Sequence, residues 1–253
     1  MKKDLSNYHI FFAGGTGSIG KVIVKYLLDY NTNITVLTQS NKKLNIQNFN
    51  LNCIKVNYGE YDQLVKIFNK HGRNGKINCL VSTVGSGKML GSYPYKNQEV
   101  KRIWDINYFY NRNLAIAASE VIKNNDELNP FQSSSHILTS SIASITNVKA
   151  PIEYSNSKIA LENLVKSLSI LISPKQRINA IRPGHIYTED GVWGEKLKSN
   201  KEKVNDIISK EIPLLRLGNP NDLLSLILFL LTTDSSYITG TCINVDGGLA
   251  SFK

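Results

Sequence analysis

The chain alternates short, continuous apolar runs with longer segments whose apolar residues recur at helical spacing. The runs predict strands over 8–13, 33–37, 53–56, 78–82, 136–140, 177–182 and 241–245. The periodic segments predict helices over 18–30, 60–70, 98–124, 152–172 and 221–231. Runs without polar alternation suit strands covered on both faces. Strand-helix alternation calls for parallel pairing through right-handed crossovers. The expected fold is therefore α/β: a single doubly wound, Rossmann-type domain over 1–253, with about seven parallel strands flanked by helices. No internal repeat or linker divides the chain. One stretch, 187–215, breaks the rhythm. It is polar and charged, holds Trp193 and follows a strand. It is expected to form one or two short helices and to serve as a substrate lid.

Composition narrows the function classes. Of 253 residues, 42% are hydrophobic and 20% charged, enough apolar content for a core. Thirty Lys and Arg against 20 Asp and Glu give a net charge of +10. The basic residues are scattered and mostly Lys, whereas base readout leans on Arg, so no nucleic-acid partner is expected. The charge suits an anionic cofactor, substrate or carrier. The dense apolar run at 223–231 is broken by Ser225 and falls short of the roughly 20 residues of a membrane span; it reads as core. No secretory apolar region follows Met1. A cytoplasmic location without membrane association is expected. Cys53, Cys79 and Cys242 are unpatterned, which excludes a disulfide framework or Cys-based zinc site and suits a reducing compartment. His9, His71, His136 and His185 are dispersed, so no metal site is expected. His185 reads equally as pocket lining or as structure. Tyr93, Tyr95 and Trp193 read as pocket walls or as loop packing, and Glu153 as a complement to a helix dipole.

Candidate chemistry begins where the first strand runs into Ala13-Gly14-Gly15-Thr16-Gly17-Ser18-Ile19-Gly20 and a helical pattern follows. Glycine permits close backbone approach, and a helix N-terminus offers N–H donors and the positive end of a dipole. Four glycines in seven residues in this context favour a pyrophosphate site over a plain tight turn. A second feature is Tyr154 and Lys158, at i and i+4 on one face of a predicted helix. An ammonium beside a phenol would lower the phenol below its usual pKa of about 10, toward the range useful to a general acid or base. Third, Ser141 ends a predicted strand thirteen residues before Tyr154, and such sheets bind ligands at strand carboxyl ends.

Together these residues resemble the short-chain dehydrogenase/reductase family along nearly the whole chain. The resemblance places the family's catalytic Ser, Tyr and Lys on Ser141, Tyr154 and Lys158. It places its helical Asn on Asn107, in Asp105-Ile106-Asn107. The family's post-strand element is matched by Pro183-Gly184-His185-Ile186-Tyr187-Thr188. Its C-terminal elements are matched by Arg216-Leu217-Gly218, Ile238-Thr239-Gly240 and Asp246-Gly247-Gly248. The implied cofactor contacts are Gly14, Thr16, Gly17, Ser18, Ile19, Gly20, Thr38, Gln39, Ser40, Asn57, Gly85, Tyr154, Lys158, Pro183, Gly184, Ile186 and Thr188.

Four departures concern cofactor fit. Ala13 replaces a Thr, and Ser18 replaces the family's middle glycine. The turn then reads Gly14-x-x-Gly17-x-x-Gly20, as in the extended branch, whose larger C-terminal substrate domain has no room here. Ser82-Thr83-Val84-Gly85 replaces Asn-Asn-Ala-Gly, and Asn57 replaces an Asp that contacts adenine.

The resemblance implies an NAD(P)(H)-dependent oxidoreductase that moves a hydride between nicotinamide and a substrate carbonyl or alcohol. Tyr154 would be the acid/base, with Lys158 tuning it and holding the nicotinamide ribose. Ser141 would position the substrate oxygen, Asn107 support a proton-supplying water chain, and Ile186 and Thr188 contact the carboxamide. NADP(H) is expected over the alternative, NAD(H). No Asp or Glu lies between Asp29 and Glu60 to reject a 2′-phosphate, Thr38, Gln39 and Ser40 can donate, and Lys42 or Lys43 could add charge. Candidate substrates are carrier-bound 3-oxo groups, small ketones, and sugars or nucleotide-sugars. A homodimer or homotetramer built on the helices near 98–124 and 152–172 is implied. The competing class is a non-catalytic dinucleotide-binding sensor or scaffold, which has no physical need for all four catalytic residues.

Overall fold

The computed structural model describes residues 4–41, 44–72, 76–88, 93–123 and 134–252. Seven strands form one sheet: β1 (Tyr8–Ala13), β2 (Asn33–Thr38), β3 (Leu51–Lys55), β4 (Ile77–Ser82), β5 (Ser134–Thr139), β6 (Gln176–Pro183) and β7 (Cys242–Val245). Their order is β3-β2-β1-β4-β5-β6-β7, and every pairing is parallel. The helices are α1 (Gly20–Leu28), α2 (Tyr61–His71), α3 (Asn97–Trp104), α4 (Tyr110–Lys123), α5 (Ile152–Ile172), α6 (Val192–Ser199), α7 (Lys201–Glu211), α8 (Pro220–Leu231) and α9 (Leu249–Phe252). This is the expected doubly wound domain. Strand order reverses between β1 and β4, which opens a crevice at their carboxyl ends, where such sheets bind ligands.

The continuous apolar runs follow from burial on both faces. In β1, Ile10 and Phe12 join a core with Ile23 and Leu27 of α1 and Ile227 and Leu230 of α8. Phe11 and Ala13 point the other way, into a core with Phe68 of α2, Leu114 of α4 and Leu161 of α5. The two-residue period of a strand thus serves two cores at once. Arg177, buried at the start of β6, donates from Nη2 to the carbonyls of Leu230 (3.1 Å) and Thr232 (3.2 Å). It caps the negative end of α8 and fastens that helix to the sheet.

One predicted helix is corrected. The 98–124 periodicity becomes α3, a π-helical turn at Asp105–Phe109, and α4; residue 124 lies outside the described residues. The cause is side-chain competition for backbone acceptors. Asn111 Nδ2 donates to the carbonyls of Ile106 and Asn107, both at 3.3 Å, and Asn107 Nδ2 donates to that of Ile103 at 3.0 Å. The stretch 187–215 holds α6 and α7, as expected. Asn200 caps α7 by accepting from the Lys203 N–H at 2.9 Å, and Trp193, Val204 and Ile212 are buried. Among the described residues, no helix is long and apolar enough to cross a membrane.

Candidate active site

The first glycine turn is shaped by the neighbouring strand. Gly14 has φ +80°, and a Cβ there would lie 2.8 Å from Thr83 Oγ1, just past β4; a Cβ at Gly20 would collide with the Gly14 carbonyl. These two glycines close the turn. Gly17 differs, since its Cβ would meet only the Gly14 carbonyl, at 3.2 Å. It leaves an open cradle at the start of α1. That helix begins with no side-chain cap and no acidic residue in its first turn, which leaves the positive end of its dipole facing the cradle for an anion. Tyr58, which the sequence did not single out, lies beneath. Its hydroxyl donates to the Leu37 carbonyl (2.5 Å) and accepts from the Gly14 N–H (3.3 Å).

The residues expected at the adenosine end do come together. Thr38 Oγ1 is 3.2 Å from both Thr16 Oγ1 and Ser40 Oγ. Gln39 Nε2 donates to Asn57 Oδ1 at 3.3 Å. Lys42 and Lys43 lie outside the described residues. Lys55 adds a cation unforeseen from sequence: from the end of β3 it donates to Asn41 Oδ1 at 2.9 Å. Open cradle, uncapped helix and hydroxyl cluster together fit a dinucleotide.

Ser18, Ile19, Gly85, Ser141, Tyr154, Lys158, Pro183, Gly184, Ile186 and Thr188 line one cavity of about 340 Å³. Asn107 does not line it. It is fully buried behind, where Oδ1 accepts from the Ser86 N–H (2.9 Å) and Nδ2 donates to the Ser86 carbonyl (3.2 Å). It thereby fixes the 85–87 segment. A Cβ at Gly85 would lie 3.1 Å from both Asn107 Oδ1 and Lys158 Nζ, so glycine lets these groups approach. Tyr93 and Tyr95 pack edge-on against each other at 5.8 Å, outside this cavity. Glu153 accepts from Trp104 Nε1 at 2.6 Å.

The protonation balance corrects one expectation. Burial raises the Tyr154 phenol above its ordinary pKa, and the nearby Ser141 hydroxyl pulls only partly the other way. Lys158 does not contribute the expected lowering, and its own pKa is shifted. Only 2% exposed, its pKa is pushed down to about 7 by burial, against the pull of Glu162. Its Nζ donates to the Thr139 carbonyl (2.9 Å) and lies 5.9 Å from the Tyr154 ring centre.

Glu162, also unforeseen, holds the catalytic candidates' surroundings together. Its carboxylate takes Arg182 in a fork, Nε to Oε1 and Nη2 to Oε2, both at 2.7 Å. Oε1 also accepts from the hydroxyls of Ser140 (2.7 Å) and Ser144 (2.5 Å), which bracket Ser141. Burial works against the carboxylate, but the Arg182 and serine hydrogen bonds hold its pKa below the ordinary value. We expect Glu162→Ala to cost about 3 kcal/mol by leaving a largely buried guanidinium without its carboxylate, with only the Cys242 carbonyl and Asn244 Oδ1 as partners. It should also lower kcat more than it raises KM, because Ser141 loses its frame. Glu162→Gln should recover most of the kcat. Thermal melts and steady-state kinetics check this; equal kcat in all three proteins would remove the positioning role.

The C-terminal elements hold the post-strand segment in place. Gly218 exchanges backbone hydrogen bonds with His185 (2.9 Å) and Tyr187 (2.7 Å). A Cβ at Gly184 would lie 2.7 Å from Asp246 Cα. The segment returns to the glycine turn: a Cβ at Gly191 would stand 3.4 Å from Ser18 Oγ, and Lys21 pairs with Asp190 at 2.8 Å.

A family model described as enoyl-(acyl carrier protein) reductase matches residues 13–250. The chain belongs to the short-chain dehydrogenase/reductase family. A tropinone reductase homolog of Arabidopsis thaliana is 28% identical to it over 93% of this chain and 89% of that protein. The 3-oxoacyl-(acyl-carrier-protein) reductase of Rickettsia felis is 27% identical over 97% and 98%. A short chain dehydrogenase of Leptospira borgpetersenii, solved with bound NAD⁺, shares the fold with a TM-score of 0.82. It is 21% identical over 98% of this chain and 93% of that one. This short-chain dehydrogenase/reductase is thus an oxidoreductase of an NAD(P)-binding family.

Proposed function

We propose that the enzyme interconverts a carbonyl compound and its alcohol through Tyr154, Ser141 and Lys158, with NADP(H) preferred. The observation that carries this reading is the convergence of Ser141, Tyr154 and Lys158 on one cavity that also meets the start of α1. A bound nicotinamide cofactor supplies or takes up the hydride. In reduction, Tyr154 gives its phenolic proton to the substrate oxygen; in oxidation it removes that proton. Ser141 donates a hydrogen bond that orients the same oxygen. Lys158 holds the ribose hydroxyls and returns a proton to Tyr154. Asn107, whose amide bonds to Ser86 and Ile103, fixes the cavity wall and would support the water chain that resupplies the proton. Cofactor oxidation across a panel of carbonyl compounds tests the reading, and no activity with any of them would favour the sensor or scaffold alternative.

The preference for NADP(H) rests on the absence of any acid from 30 to 59, the Thr16–Thr38–Ser40 hydroxyls and Lys55. The segment 187–215 serves as the lid, because Thr188, Asp190 and Trp193 line the cavity. NADPH is expected to bind more tightly than NADH and to slow hydrogen exchange over 188–196. Tighter NADH binding, or identical exchange with and without cofactor, would contradict these assignments. Relatives named for tropinone and for 3-oxoacyl groups leave the substrate class open among ketones, carrier-bound groups and sugars. Exposed Ile159 and Ile170 on α5 support a homo-oligomer.

A further inference from the structure

We infer that the substrate carries an oxyanion, a carboxylate or phosphate, which Lys196 and Lys149 hold at the mouth of the cavity. The inference rests on the carbonyl chemistry proposed above and names its substrate class. Two observations carry it.

The first is an aromatic wall with a cation on it. His185 and Trp193 are both buried, with ring centres 3.9 Å apart and planes inclined by 31°. Lys196, one turn further along α6, sets its Nζ 4.3 Å from the Trp193 ring centre. This arrangement fixes the ammonium at the cavity while keeping its donors open to a ligand. Lys196 is exposed at the rim; partial burial and the nearby Lys203 ammonium lower its pKa, a like-charge repulsion that an arriving anion would offset.

The second is the charge pattern around the cavity. Its lining includes Lys88, Lys149, Lys158 and Lys196 but a single carboxylate, Asp190. That carboxylate is engaged by Lys21 at 2.8 Å. Two further acids of the segment are also engaged, Glu195 by Lys88 (3.7 Å) and Glu189 by Lys198 (3.9 Å). Among the described residues, neither Lys149 nor Lys196 has a carboxylate partner. Lys149 moreover adopts φ +55°, an uncommon backbone conformation for a residue with a side chain, just ahead of α5. A low-dielectric cavity rimmed by one sign of charge concentrates the opposite sign. The pyrophosphate of a dinucleotide has its own cradle at Gly17, which leaves these two lysines to the substrate.

The test uses a homologous series of oxo acids and their methyl esters, which varies the spacing between carbonyl and anion. For at least one chain length, kcat/KM for the acid should exceed that for the ester by about tenfold, the worth of one hydrogen bond to a charged group. Lys196→Gln should erase that preference through KM, without weakening NADPH. Equal use of acid and ester would overturn the inference. So would an equal loss of NADPH affinity in Lys196→Gln, which would assign the lysine to the cofactor's phosphates. Binding is also read without turnover, from quenching of Trp193 emission by benzoate in a Trp104→Phe background. Saturable quenching that Lys196→Gln abolishes supports the oxyanion site even if no carbonyl compound turns over. In that case the carbonyl reading alone fails; absence of saturable quenching overturns the site.

Discussion

Tyr154→Phe is expected to lower turnover by about 10²–10⁴-fold, the usual worth of a positioned general acid. Cofactor affinity should stay within a few fold. The substitution keeps the ring that lines the cavity and removes only the hydroxyl. Ser141 still accepts from the Ala143 N–H at 3.2 Å, so its own position should persist. Steady-state kinetics on any active carbonyl compound and NADPH titration by fluorescence measure the two halves separately. Turnover within threefold of wild type would remove Tyr154 from the chemistry.

Lys158→Met should impair catalysis and cofactor binding together, since the same ammonium is assigned to the ribose and to proton return. Its effect on stability should have the opposite sign. A buried lysine held near pKa 7 binds fewer protons in the folded state than in the unfolded state, where its value is the ordinary 10.5. Wild-type stability should therefore rise as pH climbs from about 7 toward 10.5. The methionine variant lacks this term and fills the same space with apolar atoms. Its melting temperature should exceed that of wild type most clearly near pH 6–7 and converge with it toward pH 10. A difference independent of pH would show that Lys158 keeps an ordinary pKa in the folded protein. Coupled gains in stability and losses in activity are what a destabilised functional site produces.

Features with short periods are legible in the sequence. Strands buried on two faces read as unbroken apolar runs, and Ser141, Tyr154 and Lys158 were found by spacing along one chain segment. Where burial is satisfied by distant partners, the signal weakens. β5 starts at Ser134, two residues before its predicted start, because Ser135 hides its hydroxyl on the Leu230 carbonyl at 2.7 Å, ninety-five residues away. The π turn at Asn107 was invisible for a similar reason. A 3.6-residue period fits both sides of the turn, and the amides that break it find partners in Ser82 and Ser86. Glu162, Arg182 and Tyr58 act through contacts spanning about twenty residues or more, which no local pattern announces. The i, i+4 spacing shows that Lys158 shares a face with the phenol, but the burial that raises the Tyr154 pKa is set by residues far along the chain and has no local pattern.

Deuterium at the reacting C4 position of NADPH can be followed into product, with wild type and Tyr154→Phe side by side. Wild type should place one deuterium on the carbinol carbon of the alcohol, and the variant should form almost no alcohol. Alcohol without deuterium at that carbon, or labelled alcohol formed equally fast by Tyr154→Phe, would contradict hydride transfer with Tyr154 as the acid.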